Sequence, residues 1–257
     1  MHDAAWCHFW QVRICWLTST TCAGALLSYI KSVKLPREVP IMTLPNATLF
    51  PQALLPLYIF EPRYRKMLAD ALHSHRMFSV AMQRPDRTRE TPLQVAGLGL
   101  IRVSVGHKDG TSHLILQGLA RVELEEPVRM KPYRIQRIRP LTSPPCDTVA
   151  ADALLAKVRE LLKERLDLGL TLPPPFMPQS KKGKPSQTPP FSSKEVMQYL
   201  DSIADPEQAA DQVTIAVLQN AVERQAILEA VDVEMRLRRL IQFLLRDIRS
   251  HRKGRHE

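Results

Sequence analysis

Residues 39–72, with the sequence VPIMTLPNATLFPQALLPLYIFEPRYRKMLADAL, decide the fold of this 257-residue chain. The stretch contains two short apolar runs, residues 39–44 and 55–60, whose length and composition are typical of β-strands. Proline at position 62 suits the first turn of a helix, because that turn leaves backbone N–H groups unbonded anyway. The apolar residues that follow recur at helical spacing: Tyr64, Met67, Leu68, Ala71 and Leu72.

The strand pattern continues beyond this helix to residue 139. Apolar or alternating runs predict further strands at residues 77–83, 95–105, 113–116, 120–126 and 133–139. Lys108-Asp109-Gly110 supplies the aspartate and glycine of a hairpin turn, and the closely spaced Gly97 and Gly99 indicate a bend or bulge. Short strands, tight turns and one early helix are typical of a small, partly closed barrel.

From residue 147 onward the period becomes helical. One apolar face is formed by Leu154, Leu155, Val158, Leu161, Leu162 and Leu166. Ser192 with Glu195 resembles a capping box, and Asp205-Pro206 is a second helix start. The final helix follows Asp232 with a stripe of Leu237, Leu240, Ile241, Leu244, Leu245 and Ile248. We therefore predict an α+β fold in which a β-barrel precedes a helical bundle.

Two segments differ in composition from the rest of the chain. Residues 1–34 contain all three tryptophans, and the apolar run at 16–30 is shorter than the roughly 20 residues that cross a bilayer. We expect a poorly ordered extension there; a weak signal peptide is the alternative. The Pro/Lys-rich stretch is expected to be an exposed loop. The predicted division is 1–34, 35–140, 141–250 with a loop at 172–190, and a basic tail at 251–257.

The net charge of +10 invites a nucleic-acid interpretation, but the charge is unevenly distributed. Residues 236–257 carry eight basic and two acidic residues, and the predicted loop adds Lys181, Lys182 and Lys184. A solvated helix face followed by a basic tail accounts for this pattern. Aromatic residues make up 6% of the chain and are not interleaved with the terminal arginines, which disfavours base stacking.

The sequence contains none of the common motifs for catalysis or nucleotide binding. Gly183-Lys184 is followed by proline and lacks the earlier glycine of a phosphate loop, and no HExxH, GxSxG or GxGxxG pattern occurs. His73 and His75 would point to different faces of a helix end, and the four cysteines form no CxxC pair. We therefore expect no enzymatic activity, no cofactor and no metal.

The quoted stretch resembles the opening of the Lon protease N-terminal (substrate-binding) domain family. The family's LFP…LPL.IFEPRY pattern is matched by residues 49–51, 55–57 and 59–64. Gly97 to Ile101, followed by residues 113–125, resembles the family's "G..G.I" strand and "G..R" turn, the latter carried by Gly118 and Arg121.

A third segment extends the resemblance to about residues 35–249. Residues 224–229 and 232–237 resemble the family's "KQ.LLE..D...RL" helix junction. The fold that this resemblance implies is a PUA-like β pseudo-barrel with one early helix, followed by a C-terminal helical bundle. Because no ATPase or protease motif is present, the chain is most similar to the stand-alone, single-domain bacterial members.

The resemblance implies a non-catalytic module that binds unfolded or partner polypeptides, as an adaptor or in quality control. A protease or chaperone is a further expected partner, the expected compartment is the cytoplasm, and no stable membrane insertion is expected. RNA binding is the alternative, because PUA-like barrels also occur in RNA-processing proteins. Extended peptides are held by strand edges and apolar pockets, so the candidate peptide-binding residues are Leu49, Phe50, Leu55, Tyr58 and Phe60. The same residue types would also suit a buried core.

Overall fold

The computed structural model describes residues 34–87, 90–170 and 193–253. The chain divides into two compact units, Met1–Pro36 and Arg37–Glu257, and every helix and strand described below belongs to the second. The predicted extension at 1–34, apart from Lys34, lies outside the described residues. So do the predicted loop at 172–190 and residues 254–257 of the predicted tail.

The described residues form six strands at nearly the predicted positions. They are β1 (Glu38–Leu44), β2 (Leu54–Ile59), β3 (Met77–Met82), β4 (Val95–Gly106), β5 (Ser112–Arg129) and β6 (Arg134–Pro140). One prediction was wrong, because the strands expected at 113–116 and 120–126 are a single strand, β5. A shift in register with β4 near Gly118 absorbs the extra residue, Leu119, so the glycine does not end the strand.

The strands close into an irregular barrel. Their order is β2-β5-β4-β3-β1-β6, and β6 pairs back onto the second half of β5. The β1–β3 pair is parallel and the other pairs are antiparallel. Strand β2 stands outside the closed ring, since within the described part of the chain it pairs with β5 alone.

Helix α1 (Pro62–Leu72) begins at the predicted proline and covers the barrel with one apolar face. The Tyr64 hydroxyl donates to the carbonyl oxygen of Thr43 and accepts from its backbone N–H, both at 3.2 Å. These two bonds tie α1 to the end of β1. Four of the five residues predicted from its spacing are buried, Tyr64, Met67, Leu68 and Ala71, and the fifth, Leu72, is half-buried.

Five further helices follow in the described residues. They are α2 (Thr148–Asp167), α3 (Ser193–Ser202), α4 (Pro206–Val217), α5 (Ala221–Glu229) and α6 (Val233–Lys253). The predicted cap at Asp205 is confirmed, since its carboxylate accepts from the backbone N–H of Glu207 at 3.0 Å. The predicted cap at Ser192 lies outside the described residues.

Two apolar clusters fill the second unit. One joins α1 to the strands and includes Leu49; the other lies among α2, α4, α5 and α6 and includes Phe50. The α+β class and the order of barrel before helices are thereby confirmed. The predicted domain boundary between residues 140 and 141 stays a prediction. Phe50, which precedes this boundary, packs with helices that follow it.

Candidate functional site

Residues 49–51, which we call the anchor segment, are buried between the barrel and the helices. Leu49 is 0% exposed and Phe50 is 1% exposed. Adjacent side chains of an extended chain point in opposite directions, and these two enter the two different apolar clusters. The anchor segment therefore joins the two cores.

Glycines in β4 and β5 let the anchor segment approach the sheet. A Cβ placed on Gly97 would lie 2.0 Å from the carbonyl oxygen of Leu49, and one on Gly118 would lie 1.9 Å from that of Phe50. Both obstacles are backbone atoms, so no side-chain rotation could relieve the contact. A hydrogen bond holds the anchor segment against β5, in which Gln52 donates its backbone N–H to the carbonyl oxygen of Gly118 at 2.8 Å. The predicted bulge is present, as a register shift between Leu98 and Gly99.

Residues 54–60, which we call the edge segment, comprise β2 and Phe60. Leu55 is buried, whereas Tyr58 is 49% exposed and Phe60 is 59% exposed. Pro56 has no N–H and is tolerated on an edge strand, where its nitrogen can face away from β5. The edge segment thus presents aromatic side chains next to a strand edge that is open within the described residues.

The five predicted peptide-binding residues fall into two groups. Leu49, Phe50 and Leu55 are core residues, so the expectation that they form part of a binding surface is corrected. The physical reason is that they pack against glycines, strands and helices of the same chain. Tyr58 and Phe60 remain as the candidates that an external peptide could touch.

Two histidines extend the aromatic surface of the edge segment. The ring centroids of Tyr58 and Phe60 are 5.8 Å apart, and those of Tyr58 and His113 are 4.7 Å apart. His107 meets His113 edge to face, with centroids 4.9 Å apart. A shallow depression of about 500 Å³ opens here, lined by Tyr58, His107, Lys108, Asp109, Thr111 and His113. Sequence reasoning missed the histidines, although they closely flank the hairpin turn that it predicted.

A buried ionic network joins the barrel to the helices and was also missed. Arg121 of β5 and Arg236 of α6 both donate to the carboxylate of Asp211 in α4. Both also reach Glu207, at 3.5 Å and 3.2 Å respectively. Arg121 further donates to the carbonyl oxygen of Leu228 at 3.2 Å. One signal was available, because Arg236 lies four residues before Leu240 in the apolar stripe of α6, and residues at this spacing share a helix face.

Three of the four charged side chains in the network, those of Arg121, Asp211 and Arg236, are buried. Burial raises the pKa of the Asp211 carboxyl, and the charges of Arg121 and Arg236 oppose that rise. Burial likewise lowers the pKa of the Arg236 guanidinium. Such groups are tolerated only when they are paired, so the barrel and the helices depend on each other for charge compensation.

Most basic residues of α6 are engaged within the protein. Arg238 pairs with Glu234, Arg246 with Glu223 and Arg252 with Glu164. Arg239 donates to the carbonyl oxygen of Ala226 at 2.7 Å. The three ion pairs offset part of the positive charge on α6 that suggested nucleic-acid binding.

The two histidines at the end of α1 are hydrogen-bonded to the backbone of the same chain. His73 Nδ1 lies 2.7 Å from the carbonyl oxygen of Ala69, and His75 Nδ1 accepts from the backbone N–H of Met77. Burial lowers the pKa of His75. Across the described ranges, no three His, Cys, Asp or Glu side chains converge to hold a metal ion. In the same ranges, no helix is long and apolar enough to span a bilayer.

Comparison with known proteins gives consistent matches over this part of the chain. A family model described as the ATP-dependent protease La (LON) substrate-binding domain matches residues 38–246. The Lon protease of Dictyoglomus thermophilum is 24% identical over 217 residues, which cover 83% of this chain and 25% of that protein. Lon protease 2 of Myxococcus xanthus is 27% identical over 227 residues, covering 84% and 24% respectively.

Solved structures show the same fold. The N-terminal domain of a Mycobacterium avium complex Lon protease superposes with a TM-score of 0.60 at 19% identity. A Lon N-terminal domain protein from Xanthomonas campestris superposes with a TM-score of 0.52 at 15% identity. Each match covers 80% of this chain and 97% of the other.

Proposed function

The chain belongs to the family of the ATP-dependent protease La (LON) substrate-binding domain, and we propose that it captures unfolded or partner polypeptides without carrying out chemistry on them. It spans about a quarter of the length of the Lon proteases that it matches. The family membership supports a substrate-binding role at the level of the module.

The observation that carries the proposal is the exposure of Tyr58 and Phe60 beside the edge of β2 that pairs with no other strand among the described residues. A strand edge offers backbone N–H and C=O groups with which an extended peptide can form a further ladder. Side chains two residues apart along a strand share a face, so Tyr58 and Phe60 can both contact the same side of an incoming segment. Aromatic rings contribute large apolar area with few rotatable bonds.

Such an edge would bind extended polypeptide segments that are rich in apolar side chains, without requiring one particular sequence. The backbone ladder is common to every extended segment, and the exposed aromatic rings add affinity for apolar side chains. Pro56 removes one donor from the ladder, so the side-chain contacts of the edge segment carry more of the binding. This combination suits an adaptor or quality-control role in the cytoplasm, with a protease or chaperone as the partner that receives the captured chain.

The proposal is tested by truncating both exposed rings together. We expect Tyr58→Ala with Phe60→Ala to weaken binding of a rhodamine-labelled, end-capped peptide of alternating Leu and Ser by about tenfold or more, because buried aromatic anchors contribute over about 1 kcal/mol each. Fluorescence anisotropy measures the affinity, and circular dichroism checks that the fold is retained.

A matched control removes an exposed apolar side chain from a different element. Met235 in α6 is 50% exposed, so Met235→Ala deletes apolar surface without touching the edge segment. We expect this control to bind the peptide like the unaltered protein. Absence of binding by the unaltered protein, or equal affinity in the double variant, would refute the proposal.

A further inference from the structure

His107 and His113 hold each other across the end of the β4–β5 hairpin. His107 Nε2 lies 2.6 Å from His113 Nδ1, within hydrogen-bonding distance. The turn between them is well ordered by its own bonds, since His107 donates its N–H to the carbonyl oxygen of Thr111 at 2.8 Å. Gly110 adopts a positive φ of 79°, as a tight turn requires. The two imidazoles are therefore positioned by the backbone on both strands.

This histidine pair is continuous with the proposed peptide-binding surface. His113 is the cross-strand partner of Tyr58 in the β2–β5 ladder, and their rings are inclined by 33° at 4.7 Å. Tyr58 in turn stacks on Phe60 at 5.8 Å. A change in the charge or position of the His113 ring therefore alters the surroundings of Tyr58, the exposed aromatic residue beside it.

The number of protons on the two imidazoles decides whether the hydrogen bond between them can form. With both rings neutral, one nitrogen donates its proton and the other accepts it. One added proton keeps this arrangement and makes the bond charge-assisted. A second added proton leaves two N–H groups facing each other with no acceptor between them, and two positive charges in contact. The pair must then separate.

The surrounding charges act on this second protonation. Lys108 and Asp109 belong to the turn, Tyr58 faces the pair from β2, and the Arg65 guanidinium from α1 lies against Gly110. The Asp109 carboxylate accepts from both the N–H and the hydroxyl of Thr111, which holds its charge within the turn. The cations Lys108 and Arg65 oppose a further positive charge. The Asp109 carboxylate, whose pKa is lowered by its hydrogen bonds from Thr111 and by the charge of His107, attracts one.

Protonation of His113 is correspondingly disfavoured. Burial, and then the charge of His107, lowers the pKa of the His113 imidazole below its ordinary value of 6.5. The folded state thus favours neutral His113, and this contribution is complete above about pH 6.5. It is lost as the pH falls from there towards the lowered pKa.

We propose that the His107–His113 pair is a pH-sensitive switch on the edge segment, which releases bound apolar polypeptides in mildly acidic solution. Double protonation separates the rings and places two charges beside Tyr58. An apolar segment lying on Tyr58 and Phe60 then loses a neutral neighbour and gains a hydrated, charged one. The inference rests on the proposed function, because it assigns a regulator to the same surface.

The test combines a proton titration with a binding titration on the full chain. Imidazole NMR signals are followed from about pH 8 to about pH 5, a range that spans ordinary histidine titration. We expect the His113 signals to titrate below the ordinary histidine value, because burial and the charge of His107 lower the pKa of the His113 imidazole. Over the same range, affinity for the end-capped Leu/Ser peptide, which has no titratable side chain, should fall several-fold.

The decisive variant is His107→Gln, which cannot carry the second charge but can still hydrogen-bond His113. We expect it to remove the part of the lowering of the His113 pKa that the charge of His107 causes, and to flatten the pH dependence of peptide binding. The matched control is His73→Gln, which removes an exposed histidine at the end of α1 and should leave both curves unchanged. A pH dependence identical in the unaltered protein and in His107→Gln would overturn the switch while leaving peptide capture intact. Absence of peptide binding at about pH 8 would instead overturn the proposed function, and the switch with it.

Discussion

The anchor segment and the edge segment lie only a few residues apart and have similar apolar composition, yet they have opposite environments. Leu49 and Phe50 are enclosed by two cores, whereas Tyr58 and Phe60 are about half exposed. The difference arises because the anchor segment crosses the glycines of β4 and β5, while the edge segment adds a strand to β5 from outside. A single apolar motif therefore combines a buried, structural half with a half whose aromatic side chains are exposed.

The largest expected effect comes from adding a side chain to a glycine that lies directly beneath the anchor segment. Gly118→Ala would bring a Cβ to 1.9 Å from the carbonyl oxygen of Phe50, so the backbone itself would have to move. We expect a loss of more than about 4 kcal/mol in the free energy of unfolding, or failure to fold. Urea denaturation followed by circular dichroism measures this change.

Gly106→Ala provides the matched control in the neighbouring strand. A Cβ at Gly106 would meet nothing closer than the Ser112 hydroxyl at 3.9 Å. We expect its stability to change by no more than about 1 kcal/mol. Equal stability of the two variants would show that the position of the anchor segment does not depend on its close approach to Gly118.

The next largest effect compares the same substitution in the two segments. Phe50→Ala should lower the free energy of unfolding by about 3–5 kcal/mol, because it leaves a cavity among the helices. Phe60→Ala should change it by less than about 0.5 kcal/mol, because the ring is 59% exposed. Thermal and urea unfolding of both variants test the difference. Similar losses at both positions would remove the distinction between anchor and edge.

The smallest effect on stability is expected at Pro56. Pro56→Ala restores a backbone N–H at the edge of β2 and should change the free energy of unfolding by about 0.5 kcal/mol or less. An edge with its full set of donors pairs more readily with other strands, so self-association should increase. Sedimentation velocity at several protein concentrations detects this. An unchanged monomer fraction would indicate that Pro56 does not limit pairing at this edge.

Local patterns in the sequence predicted the elements well, because periodicity and caps act over a few residues. The strands, the start of α1 at Pro62 and the cap at Asp205 are all of this kind. The continuity of β5 was not predictable in the same way. Its register shift at Gly118 depends on the anchor segment, which lies far away in sequence.

The same limit explains the division among the predicted site residues. Alternation along the edge segment separates Leu55 and Ile59 from Tyr58 and Phe60, but it does not say which set faces outward. That depends on α1, which covers one side of the strands. The histidine pair and the buried ionic network likewise need the register of β5 and the packing of the helices.

The hydrogen bond from Arg121 to Leu228 also sets an order of events during protein synthesis. Its two ends are 107 residues apart in the chain. At the usual rates of translation, roughly 5–20 s separate the appearance of the arginine from that of its last acceptor. For most of that interval the strands that have already been made carry a guanidinium whose carboxylate partners, Glu207 and Asp211, have not yet been synthesised. We therefore expect the nascent barrel to remain incompletely folded and sensitive to proteases until α6 has emerged.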